Sequence, residues 1–151
     1  MQEIVLAYQG EVYGEALFAS LAKLNTKLDE QAKWQLLMHL EQTIQQSLQL
    51  WLNSIGNPIK PGAQFWQQGV YEAEKISQKT WTEAMLWLKD LSEPYMKKYA
   101  QMAQDEVGDS KLQHVLQGLA KHEEALFLFA SGELAGDSND AVKLVKSLFL
   151  A

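Results

Sequence analysis

The sequence predicts an all-α chain folded as an antiparallel four-helix bundle, with a long crossover between helices 2 and 3 and a short C-terminal fifth helix. Two observations carry this. Helix breakers are few and grouped, with three prolines and nine glycines among 151 residues, leaving long stretches of alanine, leucine, glutamine, lysine and glutamate. Within those stretches apolar residues recur at alternating steps of three and four, the spacing of a bundle-facing seam. At 151 residues with 47% apolar side chains, a single domain over residues 1–151 is expected.

The first helix should run from near residue 2 to about Leu24, with Asn25-Thr26 placed to cap the next. The second should run from about Lys27 to Ile55 and stop at Gly56-Asn57-Pro58. Residues 56–66, with Pro58, Pro61 and Gly62, form the main loop, and a short helix is expected from Gln67 to Ser77. The third long helix starts on the capping box Thr80-x-x-Glu83 and reaches about Glu106, with Pro94 kinking or breaking it near Glu93. The fourth begins at Asp109 or Ser110, where Ser110 and Gln113 suggest a second box, and ends between Ser131 and Gly136. A fifth short helix follows Asp137 or Ser138. The run Leu126-Phe127-Leu128-Phe129 makes the fourth helix apolar nearly all round, so its outer face needs cover. Val142, Val145, Leu148 and Phe149 can supply it; otherwise that face and the C-terminal helix would join copies of the chain as a homo-oligomer.

Composition excludes several functions. There are no cysteines, hence no disulfide, thiolate metal site or cysteine nucleophile. All 13 basic residues are lysines and the net charge is −6, which argues against nucleic acid as a partner and removes any arginine clamp for phosphate or carboxylate. No stretch approaches a membrane span and no basic signal segment precedes Ile4–Ala7, so a cytoplasmic location is expected. A Gly-x-Ser-x-Gly elbow and glycine-rich phosphate loops are both missing.

The seams contain acids. On the second helix Trp34, Leu37, Glu41, Ile44, Leu48, Trp51 and Ile55 share a stripe, and on the fourth Leu112, Leu116, Leu119, Glu123, Leu126 and Ala130 do. A carboxylate on an apolar seam must acquire a partner or a proton. Glu11 precedes Glu41 by 30 positions and Glu93 precedes Glu123 by the same number, a weak internal repeat. Glu15 shares the first-helix stripe Ile4, Tyr8, Glu11, Glu15, Phe18 and Ala22, so spacing leaves Glu11 and Glu15 as equal candidates. Each acid could instead lie at a seam edge or bond a tyrosine such as Tyr8, Tyr13, Tyr95 or Tyr99. On the third helix Trp81, Ala84, Leu88, Leu91 and Tyr95 form the inward stripe, while Trp66 and Trp87 are free to line a pocket or contact surface.

These acids, with Gly14-Glu15 before Phe18, make residues 8–134 resemble the ferritin-like family of rubrerythrin- and bacterioferritin-type bundles. That family carries a glutamate on helices 1 and 3 and a Glu-x-x-His on helices 2 and 4, which together hold two iron or manganese ions. The resemblance implies Glu11 or Glu15, Glu41, Glu93 and Glu123 as metal ligands. Both histidine positions depart from the pattern, being Ile44 and Leu126. His39, two residues before Glu41, and His122, one before Glu123, are rotated roughly 200° and 100° away from those acids and are not expected to share a metal with them; with His114 they lie off the seams and read as surface or boundary residues. A surviving centre would then be built of carboxylates and water, suiting magnesium, calcium or manganese better than iron. The expected function is a ferritin-like bundle without di-iron chemistry, or any resident cofactor, that acts as a binding or interaction module. The alternatives are a metal-binding oxidoreductase or storage-type protein with a carboxylate-rich pair of divalent ions, and a carrier of a small apolar ligand.

Overall fold

A computed structural model of the chain describes residues 2–60 and 62–148; Pro61, Phe149 and the two residues after it lie outside the described residues. Six helices are present and no strand is found among the described residues: α1 (Gln2–Leu24), α2 (Leu28–Ser54), α3 (Ala63–Ile76), α4 (Trp81–Asp105), α5 (Ser110–Ala135) and α6 (Ser138–Leu148). No described helix is long and apolar enough to cross a membrane. The chain divides into two compact units, Met1–Lys79 and Thr80–Ala151.

In the first unit α1 packs against both α2 and α3. This explains why α1 is buried on most of its circumference, from Ile4 through Ala7, Tyr8, Val12, Leu17 and Phe18 to Ala22. Phe18 and Trp34 stack with ring centroids 5.7 Å apart, binding α1 to α2 through two of the largest buried side chains. The other face of α1 takes α3 at very short range. A Cβ on Gly69 would collide with the backbone oxygen of Tyr13, and would stand 2.8 Å from the Cβ of Ala16 and 2.9 Å from the backbone nitrogen of Leu17. Glycine is therefore required for the two helix backbones to approach.

The α1–α2 link and the start of α3 differ from the sequence expectation. Lys27, rather than Asn25 or Thr26, is the N-cap of α2, and Asn25 instead accepts the Lys27 amide at 2.8 Å and donates to Glu30 at 3.0 Å. Asn side chains readily bond the backbone amide two residues on, and here that bond closes the turn before the helix. The α3 helix begins at Ala63, four residues before Gln67, because Gly62 adopts the extended backbone of an N-cap and its carbonyl already accepts from the Phe65 amide.

In the second unit α4 packs along α5, and α5 also carries α6. The Thr80–Glu83 capping box is formed in both directions. Helix α4 runs unbroken through Pro94. Pro94 and Asp90, whose carbonyl loses its i+4 donor, are both exposed, so water can serve that carbonyl. Inward positions on α4 are Ala84, Met85, Leu88, Ser92, Tyr99 and Ala103, whereas Leu91 and Tyr95 are exposed. The buried row thus advances by steps of four from Ala84 to Ser92 instead of following the seam through Leu91 and Tyr95. The Ser110–Gln113 box does not form. Asp109 is the N-cap, accepting from the Leu112 amide at 3.0 Å, while Gln113 reaches back to the carbonyls of Ala103 and Glu106 and ties the link 106–109 to the end of α4. Gly136 closes α5 in the left-handed conformation at φ 82. On α6, Ala141 and Val145 are buried, Val142 and Leu148 are half-buried, and Gly132 of α5 lets the Ala141 methyl come close.

The long helices of the two units follow one plan. A shift of 82 positions carries the first residue of α2 onto that of α5, and carries Trp34, Leu37, Leu40, Glu41 and Leu48 onto Leu116, Leu119, His122, Glu123 and Ala130. All of these are buried except Glu123, which is nearly so.

Candidate functional site

The acids singled out by sequence fall into different environments. Glu11 and Glu41 are buried, at 4% and 3% exposure, on the packed faces of α1 and α2. Their burial follows from their registers: Glu11 is one turn from Tyr8 and beside Val12, and Glu41 is one turn from Leu37 and beside Leu40. The Glu41 carboxylate occupies the space a side chain at position 14 would need. A Cβ on Gly14 would stand 2.8 Å from its Cδ and 2.9 and 3.1 Å from its oxygens. Gly14 is one turn after Glu11 on the same helix, so the Glu41 carboxylate lies against the stretch of α1 that carries Glu11.

Glu15, the alternative to Glu11, is only half-buried, and amides of α2 bind it. Gln42 donates to Oε2 at 3.0 Å and Gln45 to Oε1 at 2.8 Å, and the same Gln45 nitrogen reaches the backbone carbonyl of Glu11 at 3.2 Å. This clamp fixes the α1–α2 register next to the two buried carboxylates. Buried Tyr8 completes the polar group on α1. Its hydroxyl is held above the ordinary value of 10.0, first by burial and then by the charge of Glu15.

In the second unit Glu93 keeps 40% of its side chain exposed and pairs with Lys97 at 3.1 Å, an ordinary i,i+4 ion pair. Glu123 is 12% exposed, and its Oε1 lies 3.6 Å from Nδ1 of His122. His122 is 3% exposed, which corrects the surface or boundary reading; His39 and His114 are exposed as expected. Val115, Leu119, His122, Leu126 and Phe129 form a stripe at steps of four and three that shares Leu119 and Leu126 with the one through Glu123 and widens it to one side. α5 packs on both α4 and α6, and its buried face is correspondingly wide, taking in His122 with Leu116, Leu119, Ala125, Leu126, Phe129 and Ala130. That second stripe was the available signal for His122. Further along, Trp81 is half-buried and donates from its indole nitrogen to Glu133 at 3.1 Å.

Chemically, the first unit offers two buried carboxylates beside an amide-clamped third, and the second offers an imidazole next to a carboxylate. The di-iron ligand set implied by the resemblance does not fit. The positions three residues after Glu41 and Glu123 are half-buried Ile44 and buried Leu126, neither of which can ligate a metal, and Glu93 is engaged by Lys97. In comparisons with protein-family models, with curated proteins and with solved structures, nothing matches this chain.

Proposed function

We propose that the chain is a ferritin-like antiparallel four-helix bundle, with α3 in its long crossover, that works as a binding module and does not activate oxygen. The observation that carries this reading is the pair Ile44 and Leu126. Each stands where the family places an imidazole, while carboxylates persist at Glu11, Glu41 and Glu123. An ionised carboxylate is costly to hold in an apolar setting unless it is partnered, so Glu11 and Glu41 at 4% and 3% exposure and Glu123 at 12% favour a use for these groups. The shared register of α2 and α5 further supports the bundle. Without imidazole at the two family positions, two redox ions would lack the nitrogen ligands that set their geometry, whereas a polar anchor for a ligand needs only the carboxylates.

The test is oxygen uptake by the purified chain supplied with ferrous ion. Uptake no faster than that of ferrous ion in buffer is expected. Multiple-turnover uptake abolished by Glu41→Gln would overturn the reading.

A further inference from the structure

His122 is the one buried imidazole among the described residues, and it takes the position that the first unit gives to Leu40. An apolar side chain therefore satisfies the packing at this register, and a histidine there adds chemistry that packing does not require. Its Nδ1 stands 3.6 Å from Oε1 of Glu123. That separation is longer than a charge-assisted hydrogen bond, normally about 2.7–2.9 Å. It is close to the distance between two ligands of one ion, because metal–nitrogen and metal–oxygen bonds of about 2.0–2.2 Å at tetrahedral angles put their ligand atoms about 3.4 Å apart. The pair is also reachable: His122 is enclosed, but the Glu123 side chain keeps 12% of its surface open. We propose that His122 and Glu123 are two ligands of a single divalent transition-metal cation, with the imidazole supplied one residue before the glutamate instead of three after it.

This deepens the binding-module reading by naming the ligand, and it rests on that reading. A mixed nitrogen and oxygen donor pair favours zinc- or cobalt-type ions over magnesium or calcium, which prefer oxygen alone. The carboxylate and the neutral imidazole offer a net charge of −1 against the ion's +2, so the remaining ligand positions accept water or a further anion.

The experiment is calorimetric titration of the full chain with Zn2+, with Co2+ as the spectroscopic reporter of ligand type. One equivalent should bind, with a visible Co2+ spectrum of nitrogen and oxygen ligation. His122→Leu, which installs the residue found at the equivalent position in the first unit, should weaken binding by more than the 10–100-fold that losing an outer-shell partner costs. Glu123→Gln should do the same while keeping the side-chain shape, and it decides the matter if the leucine variant fails to fold. A His39→Gln, His114→Gln double variant should bind as the unaltered chain does. Absence of one-equivalent binding, or unchanged affinity in the folded His122→Leu and Glu123→Gln variants, would overturn the proposal. Neither result would touch the oxygen-uptake outcome, so the two failures are separable.

Discussion

The contact between Glu41 and Gly14 can be tested by adding one methyl group. In Gly14→Ala the new Cβ would lie 2.8 Å from Cδ of Glu41, so the carboxylate, the far end of a flexible side chain, must shift, and the cost arises because it is only 3% exposed and packed where it stands. Gly10 lies one turn earlier on α1 and has nothing within 4 Å of its ideal Cβ. Gly10→Ala therefore measures the backbone effect alone, a stabilisation of about 0.5–1 kcal/mol from helix propensity and a less flexible unfolded chain. Gly14→Ala gains the same term and loses about 1–3 kcal/mol to overpacking. The difference between the two variants should thus be about 1–3 kcal/mol, or roughly 2–12 °C in Tm for a chain of this size. Urea and thermal unfolding of both variants, followed by circular dichroism, give the quantity directly. Adding Glu41→Ala to Gly14→Ala should remove the overpacking penalty as a coupling energy. If Gly14→Ala equals or exceeds Gly10→Ala in stability, the carboxylate does not hold the space argued for it.

Three other outcomes follow from the same packing. Gly69→Ala should cost about 3 kcal/mol or more, because its obstacles are the backbone and Cβ atoms of α1 and cannot rotate away; amide exchange in α3 should accelerate in the same variant. Asp109→Ala should cost about 1 kcal/mol, whereas Ser110→Ala should be near neutral, since Asp109 caps α5; equal effects in denaturant titration would contradict the assignment. Tyr8 has a raised folded pKa, so its contribution to stability is complete below the ordinary value of 10.0 and is lost as pH rises through the folded value. Tyr8→Phe should flatten that alkaline decline in Tm, and an unchanged slope would contradict the burial argument.

The helices were legible because their signals are local. Leu24, Thr80, Asp109 and Gly136 stand at or within a residue of the observed boundaries, and each marks a change in backbone bonding that the sequence spells out nearby. The seam through Leu37, Glu41 and Leu48 was legible for the same reason, since α2 buries a narrow stripe. Breadth of burial is not local. How wide a face α5 buries depends on its packing on α6 as well as on α4, so the stripe carrying Glu123 is legible in the sequence while the burial of His122 is not. The choice between Glu11 and Glu15 depended likewise on partners about thirty residues away, where Gln42 and Gln45 engage Glu15. The continuation of the α4 row from Ala84 and Leu88 to Ser92 is not legible, because Leu91 and Tyr95 offer a more apolar continuation that is left exposed. The close approach of Gly69 to α1 could not be anticipated either, as a glycine within a helix has no pattern that names its neighbour.

The Gln113 clamp on the α4–α5 link has a consequence for the order in which the chain assembles. The hairpin α4–α5 is closed by residues 106–109, and Gln113 bonds back to Glu106 and Ala103, seven and ten positions away, so little loop entropy is lost in forming it. Helix α3 can reach α1 only after the whole of α2 has intervened, with Gly69 meeting Ala16 across more than fifty residues. Short-range closure is the faster process, and contacts that wait on long loops come later. The second unit should therefore acquire its helical pair early during folding, and docking of α3 should set the pace of the first. In the finished molecule the same ordering runs backwards, making release of α3 from α1, at Tyr13, Ala16 and Leu17, the first opening of that unit.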